Sequence, residues 1–451
     1  MKKMIWGFFC ACFLAVSLLA PVRAAGETPE GGDFSLYATA AVLMDADSGR
    51  VLYGKNADTV LAMASTTKIM TCILVLENAS LDDMVTVSSY ATSMPKVKLY
   101  IQKGEQYTVR DLLYSLMLES HNDTAVALAE HVGKRHLARE LAEKDTGEYT
   151  VEESKLAMAA FVSLMNQKAA ELGCENTWFI TPNGLDATEA IIQADGTTIQ
   201  KEHSTTAAEL ARVMAYCVRE SPCRDAFLDI TQTTSYSFYA NQRSFTCTNH
   251  NAFLSMMDGA LSGKTGFTNK AGYCYVGALE RDGRTFVVAL LACGWPNNKS
   301  YKWSDTRKLM QFGIDNYFYR SFSEEGVRFD ESLLGAVLVR NGQTDSLGGQ
   351  AYTKLGVSAD TGEGGTGTGP EGVKEVEGLL LREGEEVRVE YSVKDELTAP
   401  VEYGMEVGTV EYVVDDVVYK RESIVTTSRV GEIDMKWCVR QIFKRYFDTF
   451  S

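Results

Sequence analysis

Ser65 and Lys68 lie three residues apart in the stretch MASTTKIMT (63–71), directly ahead of the apolar run Ile69, Met70, Cys72, Ile73, Leu74 and Leu76. On a helix, positions i and i+3 share a face with Cβ atoms about 5–6 Å apart. A serine hydroxyl is a weak nucleophile until a base takes its proton. A lysine removed from water and set near another cation has its pKa lowered, and its neutral amine then serves as that base. A helix N-terminus adds partial positive charge and free N–H groups that can receive an oxyanion. The pair therefore suits acyl transfer. Taken alone the spacing is common, and a solvated lysine on a helix face explains most instances of it.

The elements that must hold this pair can be read from hydrophobic period and turn residues. Residues 37–58, YATAAVLMDADSGRVLYGKNAD, alternate and turn at Asp47-Ser48-Gly49, which predicts a hairpin. Helical spacing covers 65–78, 109–132 with an interruption in the middle, 153–173, 204–220 and 304–320. Two β-branched apolar segments, 270–280 and 284–294, flank Arg281-Asp282-Gly283 and predict a second hairpin. From about residue 321 the chain becomes strand-like and turn-rich, with a Gly/Thr-rich loop at 358–372.

The 451 residues exceed what one compact core usually holds. Net charge is −16 with Lys2, Lys3 and Arg23 at the extreme N-terminus, which argues against a broad basic surface for nucleic acid. The first 24 residues carry two lysines, an apolar run from Met4 to Ala20 and small residues near Ala24, the pattern of a cleaved secretory signal. Eight cysteines follow it: Cys72, Cys174, Cys217, Cys223, Cys247, Cys274, Cys293 and Cys438. Scattered and mostly in apolar surroundings, they read as buried thiols, with a Cys217–Cys223 pairing left open. No cysteine or histidine cluster has zinc spacing.

Two further stretches bear on Ser65 and Lys68. Ser120-His121-Asn122 falls at the break in the 109–132 helical pattern, and Lys264-Thr265-Gly266 opens a strand between Gly263 and Gly272. In order and separation, S-x-x-K, S-x-N and K-T-G resemble the motifs of the serine penicillin-recognising enzymes. ASTTKIMT, SHNDTAVALAEHV, NTWFITPNGLD, TNHNAFL, GKTGFTNKAGYCYVGA and, downstream, TAPVEYGMEVGTVEY narrow the likeness. The chain resembles the low-molecular-weight D-alanyl-D-alanine carboxypeptidases from about residue 35 to 428.

That resemblance implies an α/β (α+β) peptidase domain with helices on a mainly antiparallel five-stranded sheet, then a small all-β sandwich and a C-terminal amphipathic helix. The expected limits are signal peptide 1–24, peptidase 25–320, β domain 321–428 and anchor helix 429–451. It implies that Ser65 attacks the carbonyl between two D-alanines of a peptidoglycan stem peptide while Lys68 takes its proton. Ser120, bridged to Lys264, delivers a proton to the leaving amine, and Asn122 bonds the substrate amide. Lys264 and Thr265, with Gly266 and Phe267 beside them, bind the terminal carboxylate, and the N–H groups of Ser65 and Phe267 form the oxyanion hole. β-Lactam antibiotics would acylate the same serine. No metal or organic cofactor is implied. The protein is expected on the outer face of the cell membrane, held peripherally by 430–451, whose apolar residues fall on one arc.

Some positions depart from the family or invite simpler readings. His121 stands where glycine is frequent and is expected to point outward. Charged stretches 133–155 and 188–203 look inserted. His203 is expected at the surface beside a helix capped by Ser204 or Thr205. His250 reads as a satisfied structural residue, Asn183-Gly184 as a turn, Met256-Met257 as packing and Asp123 as a loop-fixing carboxylate. A class A β-lactamase, the main rival, needs E-x-x-x-N between the second and third motifs; no glutamate from 119 to 264 has asparagine four residues on. A catalytically weak peptidoglycan-binding relative is the other alternative.

Overall fold

The computed structural model describes residues 35–193, 195–324, 326–358 and 376–448. The expected signal peptide, most of the 358–372 loop and the last three residues lie outside that set.

The Asp47-Ser48-Gly49 turn joins β1 (Ala40–Asp45) to β2 (Val51–Lys55). With β3 (Ala260–Thr268), β4 (Gly272–Arg281) and β5 (Arg284–Leu291) they form one antiparallel sheet in the order β3-β4-β5-β1-β2. Every residue of β1 and β5 is buried, because both faces of the sheet are covered. Ala40, Val42 and Met44 face the larger apolar cluster; Ala41 and Leu43 join Phe286, Leu309 and Met310 on the other side.

Helix α1 (Lys68–Asn78) is apolar nearly all round and runs through the larger cluster, buried from Lys68 to Leu76. The short 3₁₀ turn Ala64–Thr67 feeds it. The interrupted pattern at 109–132 becomes α2 (Val109–Tyr114), a π turn over Ser115–Glu119, Ser120 in left-handed backbone at φ 65°, and α3 (Asn122–Gly133). Beyond these come α4 (Val151–Glu171), opened by a Thr150/Glu153 capping box, and α5 (Ala207–Ala215). Thr206 caps α5, accepting from the N–H of Glu209, so the cap is neither Ser204 nor Thr205. The stretch 188–203 is largely a hairpin, Thr188–Ile192 against Thr198–Glu202. Helix α6 (Tyr301–Asn316) covers the second face. It stops four residues short of the expected end, and Phe318–Ser321 is instead a strand paired with Gly378–Leu381.

Downstream, a three-stranded sheet and a four-stranded sheet enclose Val337, Val339, Val410, Tyr412 and Ile424. Arg50, in the β1–β2 turn region, ties this part to the central sheet. Its buried guanidinium donates to Leu380 O at 2.7 Å, Glu385 Oε2 at 2.9 Å and Asp415 Oδ2 at 2.9 Å. Helix α7 (Met435–Asp448) closes the chain. Its Trp437 is buried, while Met435, Val439, Ile442, Phe443, Tyr446 and Phe447 are exposed. The described cysteines are free thiols; Cys217 is buried, Cys223 half-buried, and the two are unpaired.

Candidate functional site

The site begins with a constrained turn. Ala64 holds φ at 49°, unusual for a residue with a side chain, and Ser65 follows it in the 3₁₀ turn. Gly184 packs on this turn with φ +82°, and a Cβ there would lie 2.0 Å from Ala64 O, so only glycine fits. On the opposite side β3 closes in: a Cβ on Gly266 would lie 2.9 Å from the backbone nitrogen of Ser65. Phe267, next along β3, is therefore brought beside Ser65.

Lys68 is fully buried, and its amine sits among three oxygens. Nζ lies 2.9 Å from Ser65 Oγ, 2.9 Å from Asn122 Oδ1 and 2.6 Å from Asn183 O. A neutral amine matches this set: two N–H groups go to the two carbonyl oxygens, and the lone pair faces the serine O–H. Burial first, and then the charge of Lys264, push the Lys68 pKa well below the usual lysine range, against an opposing pull from Asp123. Lys264 is also buried, and desolvation lowers its pKa from 10.5 to about 7.

Asn122 is held from both ends. Its N–H donates to Val97 O, and Nδ2 donates to Pro95 O at 3.3 Å and Lys96 O at 3.2 Å. This orients Oδ1 onto Lys68. Asp123 is fully buried and accepts from the N–H groups of Leu99, Tyr100 and Ile101, fixing the same loop as expected.

Three arrangements differ from the sequence reading. Among the described residues no hydrogen bond joins Ser120 to Lys264; the Lys264 amine donates to Thr265 O at 2.9 Å. Buried, it turns to a carbonyl of its own strand. His121 points inward, not outward: it is buried with Nδ1 2.7 Å from Ser115 Oγ, because the π turn places that hydroxyl under the ring. His203 is likewise buried, not at the surface, with Nε2 2.8 Å from Thr67 Oγ1. His250 is exposed and pairs with Glu119 at 2.8 Å. The structure thus gathers Ser65, Lys68 and Asn122, with Lys264–Phe267 on the neighbouring strand.

Sequence reading took Asn183 for a turn residue and His203 for a surface one, and so missed their contacts with Lys68 and Thr67. The Asn183 contribution is a backbone carbonyl, which no residue type announces. Among the described residues no group of three or more His, Cys, Asp or Glu side chains is placed to hold a metal ion.

Against solved structures the chain resembles penicillin binding protein 5 from Haemophilus influenzae, with a TM-score of 0.60 and 24% identity over 89% of this chain and 99% of that one. The fold is thus that of the penicillin-binding DD-peptidases. The family model described as D-alanyl-D-alanine carboxypeptidase matches residues 25–136 and 156–292, and the penicillin-binding protein 5 C-terminal domain model matches 381–432. Among curated relatives, the D-alanyl-D-alanine carboxypeptidase DacF of Bacillus subtilis is 26% identical over 384 residues, 82% of this chain and 80% of the relative. DacC of Escherichia coli is 27% identical over 430 residues, 92% and 89% of the two chains. The chain belongs to the D-alanyl-D-alanine carboxypeptidase family. Residues 137–155, most of the first stretch read as inserted, fall outside the family match.

Proposed function

We infer that this protein is a penicillin-binding, serine-type D-Ala-D-Ala carboxypeptidase that removes the terminal D-alanine of peptidoglycan stem peptides through an acyl-enzyme. The observation that carries the reading is the buried Lys68 amine, 2.9 Å from Ser65 Oγ and with its other two contacts to carbonyl oxygens. Lys68 withdraws the Ser65 proton as Oγ attacks the carbonyl between the two D-alanines. The N–H groups of Ser65 and Phe267 receive the oxyanion. Charged Lys264, with Thr265 and Gly266, binds the free carboxylate, and that charge keeps Lys68 neutral. Ser120 passes a proton to the leaving amine, its contact with Lys264 tightening when substrate fills the cleft. Asn122 orients Lys68 and borders the substrate amide. Water then releases the shortened peptide. Penicillins acylate Ser65 by the same attack and leave slowly, since no glutamate motif for deacylation is present.

The N-terminal segment 1–24 directs export and is removed. Residues 25–320 are the peptidase unit in this reading, and the end of α6 at Asn316 supports a division in that neighbourhood. A β domain follows to 428. Helix α7 lies on the outer membrane surface with its exposed apolar face down and basic stems beside it. Among the described residues no helix is long and apolar enough to cross a membrane.

Incubation with diacyl-L-Lys-D-Ala-D-Ala should release D-alanine, and intact-mass spectrometry after penicillin treatment should place one adduct on Ser65. Ser65→Ala should abolish both. An adduct or D-alanine release persisting in that variant overturns the assignment.

A further inference from the structure

His203 lies outside the three motifs, yet it joins the two segments that enclose Lys68. Its Nδ1 accepts from the backbone N–H of Ile180 at 2.9 Å and lies 3.4 Å from that of Thr181. Nδ1 therefore carries the lone pair, and the ring proton resides on Nε2. Nε2 faces Thr67 Oγ1 at 2.8 Å, and that hydroxyl donates in turn to Ala64 O at 2.8 Å. The bonds thus run in one direction, from the 180–181 backbone through the ring and Thr67 to the carbonyl before the nucleophile.

The two ends of this chain matter. Thr67 immediately precedes Lys68, and Ala64 immediately precedes Ser65. Ile180 and Thr181 lead into Pro182 and Asn183, whose carbonyl accepts from Lys68 Nζ at 2.6 Å. The ring shares the fixing of this segment with Thr71 Oγ1, which donates to Pro182 O at 2.6 Å, and with Asn166, which bonds both backbone groups of Phe179 at 2.8 and 2.9 Å.

We propose that His203 is a positioning residue for acyl transfer, a neutral ring that locks the Ser65–Lys68 turn onto the 180–183 segment and so sets the distance between the Lys68 amine and its carbonyl partner. Burial, aided by the Lys68 charge, pushes the ring's pKa down to about 3, so it stays neutral where the enzyme works. The groups acting electrostatically on Lys68 are Lys264 from β3, Asp123 and His121 from the start of α3, and His203 itself. An acid limb in the rate profile above pH 5 therefore reports Lys68 rather than His203.

The inference rests on Ser65 and Lys68 as nucleophile and base, and the test separates the two. First-order acylation by saturating penicillin is measured against pH for the mature protein and for His203→Phe, His203→Gln, Thr67→Val and the double variant His203→Phe/Thr67→Val. Phenylalanine keeps the ring and its edge contact with Phe179 at 5.9 Å but loses both bonds. Thr67→Val removes the bond to the ring and the bond to Ala64 O and leaves the ring in place, so it carries the test if the histidine variant is unstable. His203→Phe and Thr67→Val should each slow acylation by about 10²-fold, as a misplacement near 1 Å does. The acid limb should move to lower pH, because a carbonyl oxygen held farther from Nζ stabilises the ammonium form of Lys68 less. The double variant should be no slower than the worse single one, and His203→Gln, whose amide can still donate to Thr67, should recover part of the rate. Acylation of His203→Phe at the parental rate with an unmoved limb, losses that multiply in the double variant, or a His203→Gln enzyme as slow as His203→Phe overturns the proposal. In each case the adduct stays on Ser65; an adduct persisting in Ser65→Ala instead signals failure of the nucleophile assignment.

Discussion

Replacing Lys264 by methionine should make the protein more stable and nearly inactive. Lys264 is buried, its amine has one carbonyl partner, and burial lowers its pKa from 10.5 to about 7. A lysine whose folded pKa is depressed leaves the unfolded chain binding more protons between the two values, so stability rises with pH across pH 7 to 10.5. At ~1.4 kcal/mol for each tenfold change in proton affinity, the buried amine costs the fold ~4 kcal/mol at pH 7. Methionine fills similar volume without that cost. In urea denaturation followed by tryptophan fluorescence, Lys264→Met should exceed the parent by an amount of this order at pH 7. The advantage should narrow by ~1.4 kcal/mol per pH unit as pH rises to 10. Function moves the other way. Loss of the Lys264 charge lets the Lys68 pKa rise, so the acid limb of acylation shifts to higher pH. The proposed clamp for the substrate carboxylate is removed as well. Amidating the substrate's C-terminus should sharply lower kcat/KM for the parent and cost the variant little more. A stability difference that ignores pH, or a variant less stable than the parent at pH 7, refutes the reasoning about the buried charge. A variant that cleaves the free acid as well as the parent does refutes the clamp.

Gly184→Ala should slow penicillin acylation by more than about 10²-fold, because its Cβ would meet Ala64 O at 2.0 Å and displace the turn that presents Ser65; parental rates would mean the turn yields freely. Arg50→Met should destabilise the protein by about 3 kcal/mol, the low end for a broken buried pair, since Glu385 keeps only Arg382 at 3.3 Å, and Arg50→Met/Glu385→Leu should recover most of the loss in thermal melts. The mature protein should pellet with anionic vesicles, whereas a version ending near Val430 should stay in the supernatant with full carboxypeptidase activity. Full-length protein that ignores vesicles, or truncated protein that unfolds, would make α7 part of the protein's own core.

Local order in the chain was legible because it rests on local physics. Serine and lysine at i and i+3 ahead of an apolar run placed both groups at one helix start, and the same spacing is what brings Nζ within 2.9 Å of Oγ. The Asp47-Ser48-Gly49 turn and the break around Ser120 were visible as punctuation of two different periods. The end of α6 was not, because Phe318–Ser321 takes strand geometry only by pairing with Gly378–Leu381, some sixty residues on. Nor was the full burial of β1 visible in its alternation, which shows one covered face and not two.

The sequence by itself determined the order of the three motifs and the helix and strand starts on which they sit, since these depend on residue type and short spacing. Tertiary structure alone decided what each group touches. The Asn183 carbonyl reaches Lys68 across 115 residues, and a backbone oxygen leaves no mark on residue type. His121 and His203 turned inward because a π turn and the serine turn offered each ring a buried hydroxyl, partners that their chain neighbours do not reveal. Lys264 took the Thr265 carbonyl in place of Ser120, a choice set by where β3 lies against the helix break. The electrostatics follow the same division: two lysines can be read from the chain, but the depressed proton affinity of each arises only when the sheet and helices close around them and exclude water.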